Sequence, residues 1–110
     1  MYNFNLLNNE KIKKIFDDVL IYKDNKLYTI IITNKRLLIL DYPSGIHNSM
    51  EDLRISGKMN YVKMKEIIFD VEISFIKEVS KQDDIIKIIF MDDSFIEIDN
   101  NDVYNELKEI

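Results

Sequence analysis

Two adjacent stretches decide the fold: Lys26-Leu27-Tyr28-Thr29-Ile30-Ile31-Ile32-Thr33 and Arg36-Leu37-Leu38-Ile39-Leu40-Asp41-Tyr42. Both are dense in β-branched, aromatic and large aliphatic residues, and only Asn34-Lys35 separates them. Asn tolerates the positive φ of a tight hairpin turn, so the pattern predicts two antiparallel strands over 26–33 and 36–42. Large aliphatics occupy both faces of this hairpin. Strict alternation places Ile31 with Leu37 or Ile39 on one side, and Ile30, Ile32, Leu38 and Leu40 on the other. A half-solvated sheet reads apolar on one face only, so something must cover the second.

Working outward, Val19–Lys23 is a further strand, closed by the turn signal Asp24-Asn25. Before it, Leu7, Ile12, Ile15 and Phe16 fall near one helical face of residues 6–16. Asn8 or Asn9 would cap this helix, with Glu10 set against its dipole, so a short N-terminal helix is expected. After the hairpin, residues 43–60 hold the only proline, both glycines and the only histidine, and form a long irregular loop. Strands resume at Ile67, where Ile67, Phe69, Val71, Ile73 and Phe75 hold the odd positions and Asp70, Glu72 and Ser74 alternate with them. The pattern leaves open whether residues 67–80 are one bent strand or two. Residues 83–91 and 94–99 make a second hairpin around Asp92-Asp93. Residues 100–110 read as a helix capped by Asn100 or Asn101, with Val103, Leu107 and Ile110 along one stripe.

Composition supports this reading. Twenty isoleucines and no alanine argue against a helical bundle, even with part of the Ile, Lys and Asn surplus attributed to an AT-rich bacterial genome. At 110 residues the chain is a single domain, 1–110, and large enough to fold without a metal or disulfide. The absence of cysteine excludes a disulfide scaffold, a Cys-based zinc site and a thiol nucleophile. No apolar run approaches membrane-spanning length and no leader pattern opens the chain, so a soluble, cytoplasmic protein is expected. The net charge is −5, and it is uneven. Residues 1–55 carry eight basic and seven acidic groups, whereas residues 56–110 carry seven and thirteen. Such a balance does not suit a phosphate backbone, so no nucleic-acid partner is expected.

The segment Thr33-Asn34-Lys35-Arg36-Leu37-Leu38, with LYTIII before it and ILDY after it, resembles the hairpin of bacterial pleckstrin-homology-like (GRAM-like) domains. Asn9-Glu10-Lys11-Ile12 is similar to the Glu-containing segment that precedes that hairpin, and residues 101–110 to the closing helix. The resemblance implies a mainly β (α+β) fold: a seven-stranded, two-sheet, partly closed barrel with a C-terminal helix.

Catalysis finds little material. His47 lies beside Ser44 and Ser49, with Asp41 and Asp52 near in sequence, but a lone loop histidine is no triad. Asp17-Asp18, Asp83-Asp84 and Asp92-Asp93 occupy expected turns, where Asp bonds its own backbone. Asp99, Asn100 and Asp102 lack the Gly and Glu of a calcium loop and read as helix capping. No catalytic group, metal or cofactor is therefore expected. Lys23, Lys26, Lys35 and Arg36 are the candidates for a lipid headgroup, as a peripheral membrane module would need. The plainer expectation is that the lysines keep turns soluble and that Arg36 pairs with a neighbouring carboxylate. The apolar excess points instead to a binding or assembly module. The expected face for a protein partner or a second copy is Ile30, Ile32, Leu38 and Leu40. An enzyme around His47 is the remote alternative.

Overall fold

The computed structural model describes residues 2–41 and 65–109, so the 43–60 stretch and His47 lie outside the described residues. The chain is mainly β. Its strands are β1 (Tyr2–Asn3), β2 (Ile12–Ile21), β3 (Lys26–Thr33), β4 (Arg36–Asp41), β5 (Lys65–Glu72), β6 (Ile76–Gln82), β7 (Ile85–Phe90) and β8 (Phe95–Asp99). A 3₁₀ turn, Ile73–Phe75, separates β5 from β6, so the ambiguous 67–80 segment is two strands. Helix α1 (Asn101–Lys108) follows β8.

All the described strands belong to one sheet, ordered β1-β5-β4-β3-β2-β8-β7-β6. Every neighbouring pair is antiparallel except β1 with β5. The expected seven antiparallel strands are present, but as one continuous open sheet. It curls strongly. Phe69 of β5 and Phe90 of β7 are five strands apart, about 24 Å in a flat sheet. Their ring centroids lie 5.5 Å apart. The inner face therefore encloses one core, drawing Phe16, Val19, Ile30, Ile32, Leu37 and Ile39 against Ile86, Ile88, Phe90 and Ile98. Helix α1 closes it with Val103 and Leu107. Asn100 caps the helix by accepting from the Val103 amide at 3.1 Å, as its sequence position suggested.

The expected N-terminal helix does not form. Residues 7–10 make a turn, in which the Glu10 amide donates to the Leu7 carbonyl at 3.0 Å, and residues 12–21 are a strand. Two register shifts against β3, at Ile12/Lys14 and Phe16/Val19, break the alternation of two. The buried positions become Phe16, Val19 and Ile21, whereas Ile12 and Ile15 of the expected helical stripe are exposed. Asp18, at φ 57°, sits in the second bulge.

The hairpin also sorts its side chains differently from the expected faces. Ile30 pairs with Ile39, Ile31 with Leu38 and Ile32 with Leu37. Directly opposed residues share a face, so Ile30 and Ile32 join the core, while Ile31, Leu38 and Leu40 form a second cluster outside it. Neither Asn34 nor Lys35 has positive φ. The tip is held by the Thr33 hydroxyl, which accepts from the Lys35 and Arg36 amides at 3.0 and 2.8 Å. No glycine is needed there.

The outer cluster is covered from within the chain. Phe4 and Ile67 pack on Ile31, Leu38 and Leu40, and all three are fully buried. The cover is extended N-terminal chain, which runs from β1 over the hairpin to Glu10.

Candidate binding cleft

Where the curled sheet stays open, β5 and the β7–β8 turn face each other across a cleft of about 290 Å³. Its floor is Ile21, Tyr28 and Ile39, and its walls are Phe69, Phe90 and Ile96. Ile68 and Phe95 stand on the rim, 55% and 49% exposed. Local backbone explains this concentration of apolar groups. Ile39 pairs with Phe69 and Leu40 with Ile67, which leaves Ile68 as the extra residue of a bulge. The bulge presents Ile68 and Phe69 to the same cleft, whereas Ile67 turns to the outer cluster.

Polar groups mark the cleft's ends. The Tyr28 hydroxyl donates to Asp24 Oδ2 at 2.8 Å. Burial, with that bond and the Asp24 charge added, pushes the Tyr28 phenol up to about 12. The turn carrying Lys23 and Asp24 closes through Asn25 at φ 51°. Opposite, Asp92 Oδ1 accepts from the Ser94 amide at 3.0 Å, and the Ser94 hydrogen bonds hold the Asp92 carboxyl below its usual value. The Lys87 ammonium lies 4.2 Å from the Phe95 ring centroid, fixing that rim residue by a cation–π contact.

The basic candidates do not converge. Lys23 and Lys26 lie at one end of β3 and Lys35 and Arg36 at the other, about 23 Å away by strand rise. Lys26 pairs with Asp41. Lys35 donates to the Asn8 carbonyl at 2.5 Å. Arg36 is buried: its Nε and Nη2 donate to both oxygens of Glu10 at 2.9 and 2.8 Å, and its Nη1 approaches Asp70 at 3.3 Å. The expected carboxylate partner is thus present, and no four-residue headgroup patch exists. Ile30, Ile32, Leu38 and Leu40 are likewise withdrawn, being split between two faces and buried within the single chain.

A hollow of about 450 Å³ at the far end is lined by Leu7, Asn34, Lys35, Arg36, Glu72, Ile73 and Ser74. Asn34, Lys35 and Arg36 there are committed to residues 8–11. Asn34 accepts from the Lys11 amide at 2.7 Å and donates to the Asn9 carbonyl at 3.1 Å. The cleft is the stronger site because its apolar walls remain open to an incoming group. Strand periodicity could not place the opening, which depends on how distant strands curl together. The signal that was available is Ile67-Ile68-Phe69, three consecutive apolar residues where alternation should hold.

Among the described residues no cluster of His, Asp or Glu is arranged to hold a metal ion, and no helix is long and apolar enough to cross a membrane. No protein-family model, curated protein or solved structure matches the chain.

Proposed function

We propose that the chain is a pleckstrin-homology-like, non-enzymatic binding module of the cytoplasm, which seats one apolar side chain of a protein partner in the cleft. The observation that carries this is the cleft itself: aromatic and aliphatic walls, an exposed Ile68 and Phe95 at the mouth, and about 290 Å³ of space. Cofactor and drug-sized sites run to about 300–1,000 Å³, so this one suits a single aromatic or large aliphatic anchor. Such anchors dominate protein interfaces when they fill a desolvated pocket. Its charged neighbours, Lys23 and Asp24, are of opposite sign, which favours a peptide over a phosphate. The antiparallel order from β2 to β8 and the closing helix support the mainly β class within which that reading falls.

The test is selection of a random peptide display library on the intact chain, with binding then measured to Ile68→Asp and Phe95→Asp. Selected peptides should share an aromatic or large aliphatic residue, and both variants should lose binding while melting near the parent temperature. Peptides that bind both variants as well as the parent, or a selection that yields none, would overturn the reading.

A further inference from the structure

One wall of the cleft is a sheet edge whose pairing stops early. Strand β1 joins β5 only at Lys65 and Glu66. Phe4 then leaves that edge for the outer face, where it packs with Ile31, Leu38, Leu40 and Ile67. Among the described residues, 67–72 therefore have β4 as their only strand neighbour, and no strand pairs with the backbone groups on their other side. Ile68 and Phe69 enter the cleft from this edge, whereas no residue of β6, at the opposite edge of the sheet, lines it. The charge here is one-sided: residues 66–72 carry three carboxylates and no basic group. Asp70 and Glu72 oppose Leu38 and Arg36, which puts both on the outer face, while Phe69 and Val71 pack on the core. Glu10 already answers the Arg36 charge with two bonds, and Glu72 is exposed without an ion pair among the described residues, so the row stays acidic.

We propose that the partner's apolar anchor arrives on an extended segment that adds to β5 as a further strand beyond Glu66, with Lys or Arg beside Asp70 and Glu72. This rests on the cleft reading and names the kind of partner the cleft takes. Strand β1 shows the same edge accepting an extended segment two residues earlier. Main-chain bonds along 67–72 supply affinity, and the cleft selects one side chain. Side chains alternate along the added strand, so an anchor beside Phe69 places its neighbour beside Asp70 and its third residue beside Glu72. Opposite charge across a strand pair favours a basic residue at both places. The partner is thus a basic segment with the order anchor, basic, any, basic, read along the chain if it lies parallel to β5 and against it if antiparallel.

The probes are synthetic copies of the displayed peptides that bind the intact chain. Each should carry Lys or Arg at the first and third positions to one side of its aromatic or aliphatic anchor. Glu72→Lys, which melts near the parent temperature, should weaken their binding about threefold. Methylating the peptide amides one at a time should weaken binding about tenfold at every second amide and leave those between unchanged, because only alternate amides face β5. This second measurement uses the unaltered chain and does not depend on any variant folding. A methyl effect without alternation, or indifference to Glu72→Lys, in peptides that still need Ile68 and Phe95 would overturn the added strand and leave the cleft standing. Peptides that ignore Ile68 and Phe95, or a selection that yields none, would overturn both.

Discussion

Arg36 and Glu10 meet through two parallel hydrogen bonds of 2.9 and 2.8 Å, although 26 residues separate them in the chain. The Glu10 side chain is fully buried and the Arg36 side chain nearly so. Thr33 adds a third bond, donating to Glu10 Oε2 at 2.6 Å, so the carboxylate is satisfied without water. One pair thus ties the entry to β2, the tip of the β3–β4 hairpin and, through Asp70, strand β5.

Removing one partner strands the other's charge inside the protein. Arg36→Ala should therefore cost about 3–5 kcal/mol in urea unfolding. Arg36→Lys should recover only part of this, because an ammonium cannot present the planar fork. A loss below about 1 kcal/mol for Arg36→Ala would show that the pair is as dispensable as an exposed one.

The same pair sets the acid limb. The Arg36 hydrogen bond holds the Glu10 carboxyl down at about 2, against burial, which opposes it. A carboxyl whose folded value is depressed stabilises the fold above its unfolded value and loses that contribution as pH falls towards the folded one. Stability should decline between roughly pH 4.5 and 2, and Glu10→Gln should flatten this limb. Melting temperature against pH for both proteins checks it.

Hairpin substitutions should act on folding and not on assembly. Ile32 and Leu38 are fully buried on opposite faces of the hairpin. A lysine at either position buries an unpaired charge, so Ile32→Lys and Leu38→Lys should each abolish the cooperative melt. A folded variant that had merely changed oligomeric state by light scattering would contradict this.

These outcomes show what the sequence could and could not convey. Strands β3, β4, β7 and β8 and the Asn100 cap were legible because local chemistry and tertiary demand agree there. Only the first half of β2 was hidden: Leu7, Ile12, Ile15 and Phe16 are spaced like a helical stripe, and the register shift at Ile12/Lys14 removes the alternation that would mark a strand. The sorting of Ile30–Ile32 against Leu37–Leu40 depends on pairing register across the hairpin, which a face count along each strand does not supply. The cover over Ile31, Leu38 and Leu40 includes Phe4 and Ile67 of the same chain, where the apolar excess of the hairpin had pointed to a protein partner or a second copy. The cleft depends on the curl that brings Phe69 to Phe90, a property of the whole sheet.

The helix contributes through two apolar residues and a cap. Val103 and Leu107 are buried in the core cluster. Leu107→Ala should cost about 2–5 kcal/mol and Asn100→Ala about 1 kcal/mol in urea unfolding. Truncation after Asn100 removes both buried side chains and should leave no cooperative transition.

Lipid vesicles test the dispersed lysines. Each basic group near an anionic leaflet contributes about 1 kcal/mol, and only within a Debye length. With Arg36 committed to Glu10 and Lys26 to Asp41, too few remain together to hold the chain at a surface. No co-sedimentation with phosphatidylserine or phosphoinositide vesicles is expected at physiological salt. Binding that disappears in a Lys23→Glu, Lys26→Glu variant would restore the headgroup reading.

Tyr28 reports directly on the cleft floor. Its phenol is raised to about 12, first by burial and then by the bond and charge of Asp24. In an ultraviolet difference titration the Tyr28 phenol, identified by the step that Tyr28→Phe removes, should therefore ionise well above the ordinary value of about 10. Asp24→Asn removes the charge but not the burial, so the value should fall and still stay above ordinary. Because the folded state favours the neutral phenol, stability is full below the unfolded value and declines as pH rises from about 10 towards 12. A peptide seated against Tyr28 excludes more water and should move the titration further up, whereas Phe95→Asp, which blocks seating, should leave it unmoved by peptide. If peptide binds with Tyr28 unchanged, the anchor enters elsewhere and the cleft is not the site.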